Sequence, residues 1–217
     1  MTVVFISGSR TIPYLPPEAQ ARIDNMIDNG LDIVVGDSES GVDSKVVSYL
    51  YERRYSSVSV YSIHSTSRIR QLLPGWSFQK ITPGIPARED KNGNITNRRK
   101  LETYKDRAMC NLCNFALVIW QDTYTNHRFG QKSVSAGSLR NAIQLLLEEK
   151  PVTLYHKSED DVLGDHFTHQ EFRSICELEK FVQGLDGAVQ ERFSKIVKEE
   201  SKFAEEALAM EQQHFDL

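Results

Sequence analysis

Val3-Val4-Phe5-Ile6-Ser7-Gly8-Ser9-Arg10 joins a short apolar run to a turn of small residues. Four consecutive apolar residues that end in Ser-Gly-Ser read as a buried strand emptying into a turn whose backbone can come close to a ligand. In open α/β sheets, ligands sit in the crevice beyond the carboxyl ends of the strands. Backbone N–H groups of this turn, with Arg10 beside them, are then placed to meet an anion. The same residues also suit the first strand of any parallel α/β domain, with Gly8 only easing the turn.

Outward from this stretch, four more apolar runs recur: Ile33 to Val35, Val58 to Tyr61, Phe115 to Trp120 and Val152 to Tyr155. They are nearly continuous in hydrophobicity, as strands covered on both faces are, whereas an antiparallel sandwich would alternate. Between them, Ile23, Met26 and Ile27 recur at helical spacing in Pro17 to Asn29, before a Gly30 stop. Val46, Val47 and Leu50 do the same in Val42 to Tyr51, and further helices are expected over Lys100 to Cys110 and Ala136 to Glu149. The alternation predicts an α/β fold: a doubly wound, mainly parallel five-stranded sheet within residues 1–157.

Two segments depart from this rhythm. Residues 62–97 carry Pro74-Gly75-Trp76, Pro83-Gly84, Pro86 and Asn92-Gly93, and read as a long loop or insertion, a candidate lid over the crevice. Residues 158–217 open on an acidic turn and continue as a helical C-terminal extension. Its apolar stripe of Val189, Phe193, Ile196, Val197, Phe203 and Leu208 must pack on the sheet domain or on a second copy of the chain.

With 217 residues, 40% hydrophobic and 26% charged, the chain has the composition of a globular protein rather than a disordered or fibrous one. A net charge of −4 gives no electrostatic reason to expect nucleic-acid binding, and Arg98-Arg99-Lys100 is a small local exception that reads equally as a solvated turn. No apolar segment is long enough to cross a bilayer, and the amino terminus lacks signal-peptide order, so a cytoplasmic location and no membrane partner are expected. Three cysteines cannot pair completely. Cys110 and Cys113 have Cys-x-x-Cys spacing but no second ligand pair, which favours semi-buried thiols over a zinc or redox site. No metal or cofactor is called for.

Three further segments fall at the carboxyl ends of the proposed strands. In Gly36-Asp37-Ser38-Glu39-Ser40-Gly41-Val42-Asp43, two glycines bracket small polar residues at a helix start. Its N–H groups favour an anion, while the carboxylates suit ribose hydroxyls better than a bare phosphate; Ser40 or Asp43 could equally be plain caps. Lys105 and Met109 lie one turn apart and offer a cation beside an apolar contact, as a phosphorylated ligand with a flat base requires and as an ordinary amphipathic helix also provides. Ser135-Ala136-Gly137-Ser138 opens a helix with uncovered donors, hydroxyls and no bulk, the requirements of a phosphate cradle, with an N-cap by Ser135 or Ser138 as the alternative. No Gly-x-x-x-x-Gly-Lys, Gly-x-Ser-x-Gly or His-Glu-x-x-His motif occurs, which removes the corresponding NTPase, hydrolase and zinc-protease readings.

In their order and placement, the Ser7 to Arg10 turn, the Gly36-Asp37 to Asp43 turn, Lys105-Asp106-Arg107-Ala108-Met109 and Ala136-Gly137-Ser138 resemble the SLOG superfamily. This Rossmann-like group includes the Lonely Guy phosphoribohydrolases, DprA and the YpsA-type proteins. The resemblance covers residues 1 to about 156, with the insertion unmatched. It implies a small nucleotide or NAD-derived ligand bound by Ser7, Gly8, Ser9, Arg10, Gly36, Asp37, Gly41, Asp43, Lys105, Met109, Gly137, Ser138 and Asn141. It also implies a departure: Asn141 stands where the Lonely Guy enzymes carry a glutamate, and an amide cannot act as general base or nucleophile. Binding as a sensor or sequestering protein is therefore expected first. An N-glycosidase using another carboxylate, with Glu39, Asp43, Asp106 or Asp122 as candidates, is the alternative. A homodimer through the sheet domain or the C-terminal helix is expected beside either.

Overall fold

The computed structural model of the protein describes residues 1–92, 95–126, 130–159 and 166–215. Along the chain these form β1 (Val3–Gly8), α1 (Pro17–Asp28), β2 (Asp32–Gly36), α2 (Val42–Glu52), β3 (Val58–Ser62), β4 (Ser77–Lys80) and α3 (Arg98–Leu112). The second half gives β5 (Phe115–Gln121), β6 (Thr123–Asn126), β7 (Gln131–Val134), α4 (Ala136–Leu147), β8 (Val152–Lys157), β9 (Thr168–Phe172), α5 (Ile175–Val182) and α6 (Gly187–Phe215).

The apolar runs pair as parallel strands. One sheet has the order β4-β3-β2-β1-β5-β8-β9, and every neighbouring pair is parallel except β8 with β9. Residues on opposite faces of these strands feed two separate cores, as the two-residue period of a strand requires. Val4, Ile6, Ile33, Val35, Leu117 and Ile119 face the layer of α1 and α2, where Ile23, Met26, Val46 and Leu50 close the core. Phe5, Val34, Ala116, Val118 and Trp120 face the layer that contains Met109 of α3 and Leu139 and Ile143 of α4. Chain order therefore reverses at β1, which lies between β2 and β5. Such a reversal opens a crevice at the carboxyl ends of the two strands.

The sheet has seven strands, two more than the apolar runs indicate. Both extra strands are edges. β4 (Ser-Phe-Gln-Lys) comes from the segment read as a loop, and β9 (Thr-His-Gln-Glu-Phe) from the segment read as wholly helical. An edge strand pairs on one side only and keeps contact with water, so it needs no apolar run and carries polar residues instead. A small antiparallel pair, β6 with β7, lies between β5 and α4.

The insertion is tethered on both sides of β4. Trp76 packs on the α1/α2 core and donates its Nε1–H to the Tyr55 carbonyl at 2.6 Å. Beyond β4, Asn97 holds the Pro86 carbonyl and the Arg88 amide through its side chain. The start of the tail is equally anchored: Val189, Phe193 and Ile196 of α6 are buried in the same core as α4, while Phe203 is exposed. Leu208 lies outside the residues whose side chains are described. Among the described residues no helix is long and apolar enough to cross a membrane.

Candidate functional site

Three turns meet where chain order reverses. The Ser9 amide donates to the Ile119 carbonyl at 2.9 Å, and the Val42 amide at the start of α2 donates to the Ser9 carbonyl at 3.3 Å. The Ser9 hydroxyl lies 2.8 Å from the Ser135 hydroxyl at the N-terminus of α4 and accepts from the Gln121 amide at 3.0 Å. One serine thus ties the turn after β1 to the end of β5 and the start of α4.

The glycines make this convergence sterically feasible. A side chain on Gly8 would collide with Val42 and the Ile119 carbonyl, so Gly8 lets α2 sit directly on β1. Gly41 has φ +73°, and a Cβ there would strike the backbone of Ser9 and Arg10. A Cβ on Gly36 would strike Asp43 and approach Lys105, so its absence opens the space that the charged groups occupy. Gly137, by contrast, faces open space, with nothing within 4 Å of where its Cβ would stand.

Below the turns lies a cluster of ionised side chains. Lys105 is almost fully buried, with its Nζ 2.9 Å from Glu102, 3.6 Å from Asp106 and 3.9 Å from Asp37. Arg68 reaches in from the insertion and donates Nε and Nη2 to the two oxygens of Asp37 at 3.0 and 2.5 Å. The Ser62 hydroxyl donates to the same carboxylate at 2.6 Å. Arg10, mostly exposed, has its guanidinium 3.9 Å from Glu102.

The carboxyl groups divide by environment. Burial alone would raise Asp37, but the hydrogen bonds from Arg68 and Ser62 hold it at about 2. Glu102 is likewise brought below its ordinary value, against burial, by Lys105 and Arg68. Asp43 goes the other way, since burial raises it and Lys105 offsets this only in part; it accepts from the Ser38 amide at 3.2 Å. Burial likewise pushes Asp106 up to about 6, with the neighbouring charges of Glu102 and Asp43 adding to the rise and Lys105 opposing it. Two carboxyl groups are thus lowered by their cationic partners, and two are raised by burial.

Of the residues singled out in the sequence, Ser9, Arg10, Asp37, Gly41, Asp43, Lys105 and Asp106 come together here. Ser7 is buried at the end of β1, with its hydroxyl unpaired among the described residues. Ser138 is buried in the first turn of α4. Ser135 occupies the N-cap position of α4 but makes no side-chain cap bond, its hydroxyl being engaged with Ser9.

Four expectations are displaced. Met109 is fully buried in the core beside Cys110, so it offers a base no apolar surface. Asn141 is buried on α4, one turn below the helix start. Glu39 is exposed in its turn. Asp122 accepts from the Thr123 amide and hydroxyl and is paired with His156 at 3.1 Å, a structural lock that, against burial, lowers its carboxyl below the ordinary value.

Arg68 and Ser62 were not legible as site residues, because the partner they share is fixed only when the insertion folds back over β2 and β3. Glu102 was also missed, although its place one helical turn before Lys105 was a signal that could have found it. Cys110 and Cys113 are both buried free thiols, and burial raises Cys113 to about 11. Among the described residues no group of three His, Cys, Asp or Glu side chains is placed to hold a metal ion. Compared with protein-family models, with curated proteins and with solved structures, the chain matches none of them.

Proposed function

We propose that the crevice binds a nucleotide or an NAD-derived nucleotide, and that the protein serves as a sensor or sequestering protein for it. The observation that carries this reading is the hydroxyl pair Ser9–Ser135. It brings the turn after β1 against the start of α4 and leaves that start without a side-chain cap. Amide donors at a helix N-terminus favour an anion, and the open space at Gly137 leaves room for one to approach. The acidic side of the crevice, with Asp43 and Asp106, disfavours a second phosphate and suits the hydroxyls of a ribose. The likeness of these turns to the SLOG superfamily points to the same class of ligand.

A specific observation favours a second reading, an N-glycosidase of the Lonely Guy type. Asp106, with its carboxyl near 6, can accept or donate a proton at neutral pH, as a general acid or base must. Of the four carboxylate candidates, Asp122 is committed to His156 and Glu39 is exposed, which leaves Asp106 and Asp43.

One panel tests both readings: nucleoside mono-, di- and cyclic phosphates and NAD, followed by melting temperature and by separation of products. A ligand held at about 100 times its Kd raises the melting temperature by about 5–10 °C in a chain of this size. Gly137→Val, whose Cβ has no protein atom within 4 Å, is expected to keep the unliganded melting temperature and lose the shift. No shift across the panel overturns the nucleotide reading, and free base among the products moves the assignment from sensor to hydrolase.

A further inference from the structure

The helix that floors the crevice has a second functional flank. Arg98, Glu102, Lys105 and Asp106 turn toward the crevice, whereas Lys100, Thr103, Tyr104 and Arg107, spaced i, i+3, i+4 and i+7, line a separate cavity. Its other walls are Ile85, Pro86 and Arg88 of the insertion, Arg140 of α4 and Glu199 of α6. The cavity has a volume of about 400 Å³, within the range of small-molecule sites.

Its charge runs against that of the whole chain, which is −4. Four cations, Arg88, Lys100, Arg107 and Arg140, face one lining carboxylate, Glu199. Behind the wall, Glu200 accepts from Arg107 at 3.0 and 3.1 Å and from Arg140, and Glu199 accepts from Arg140 at 2.5 Å. The two arginines are thereby held in place and largely neutralised by the tail. Arg88 and Lys100 have no carboxylate partner among the described residues, so an uncompensated charge of about two remains at the mouth. Tyr104, Ile85 and Pro86 supply an apolar wall beside it.

We propose that this cavity is a second ligand site, for a small molecule carrying a phosphomonoester or pyrophosphate group. Arg88 and Lys100 take the phosphate, with Arg140 behind them, and Tyr104 packs against the rest of the ligand. Arginine and lysine are the side chains that hold phosphate oxygens, and a cavity walled by the insertion and three helices admits a small molecule rather than a polymer backbone. The site stands apart from the crevice, and its existence does not depend on what the crevice binds.

Amide NMR with pyrophosphate as the probe separates the two sites, because Thr103, Tyr104 and Arg107 report the cavity while Gly8, Gly36 and Gly41 report the crevice. Saturable shifts at the first group are expected. The double variant Arg88→Glu/Lys100→Glu, at two exposed positions, should keep the melting temperature and weaken binding at least tenfold. Glu199→Gln should tighten it several-fold by removing the one carboxylate that lines the cavity. The proposal is overturned if those amides show no saturable shift up to millimolar pyrophosphate, or if their shifts survive the charge reversal. It is also overturned if a short RNA displaces pyrophosphate at equal phosphate concentration.

Discussion

On one side of α3, a lysine sits among four carboxylates; on the other, a glutamate sits between two arginines. Lys105 has Glu102, Asp106 and Asp37 within 4 Å and Asp43 close by, whereas Glu200 is gripped by Arg107 and Arg140. Both clusters are buried and ionic, yet only the first contains groups whose charge can change near neutral pH. Arginine stays protonated throughout, so the cations of the Glu200 clasp keep their charge at any working pH. The carboxylates around Lys105 outnumber the buried cations, and burial leaves Asp43 and Asp106 raised as a result. The difference separates a fastening from a site: the clasp holds α6 to the domain, and the crevice keeps charge that a ligand or a proton can rebalance.

Removing the lysine should have the largest effect. Lys105→Met leaves buried carboxylates facing one another without their shared cation, which costs about 3–5 kcal/mol at pH 8. Because protonation relieves that repulsion, the loss should shrink as the pH is lowered to 5. Denaturant unfolding at the two pH values checks this, and an equal loss at both would show that Lys105 contributes packing rather than charge.

Glu200→Gln breaks the other cluster with a smaller expected loss of about 2–3 kcal/mol, since Arg140 keeps Glu199 and both guanidinium groups have some access to water. Here the loss should be the same at pH 5 and pH 8. Increased protease cleavage within α6 should accompany it, as the helix loses its ionic anchor while Val189, Phe193 and Ile196 keep its start docked.

The two clusters were not equally legible in the sequence. Apolar runs such as Val3–Ile6 and Phe115–Trp120 announce central strands, because burial on both faces demands hydrophobic residues at every position. From their alternation with helices, the crevice and its turns followed. The edge strands β4 and β9 left no such trace. Asp37 and Asp43 could be named because they stand at a strand end and a helix start, and Lys105 because of its helical spacing from Met109, whereas Arg68 comes from an insertion whose path is set by tertiary packing. The burial of Met109 was not legible for a related reason: helical spacing gives the relative direction of two side chains but not which of them the sheet covers. The Glu200 clasp spans 93 residues to Arg107 and 60 to Arg140, separations that no local pattern encodes.

The smallest of the three effects, and the sharpest, belongs to Asp106. In the unfolded chain its carboxyl titrates near 3.8, and in the folded protein near 6. Between those values the folded protein keeps a proton that the unfolded chain has released, so this group's contribution to stability falls as pH rises from about 4 to 6. Asp37, lowered to about 2, acts in the opposite sense: its contribution is present above 3.8 and is lost as pH falls toward 2. Together the two groups favour maximal stability near pH 4. Asp106→Asn fixes the neutral form and should gain about 1–2 kcal/mol at pH 8, where the wild-type carboxylate is ionised, with no gain at pH 4. If the variant and wild-type stability curves run parallel between pH 4 and 8, Asp106 titrates normally and the crevice is as fixed as the clasp. If they diverge as the pH rises from about 4 to 6, the crevice holds a carboxyl at a standing cost in stability, which is what a strongly shifted group in a cleft contributes when it serves a site.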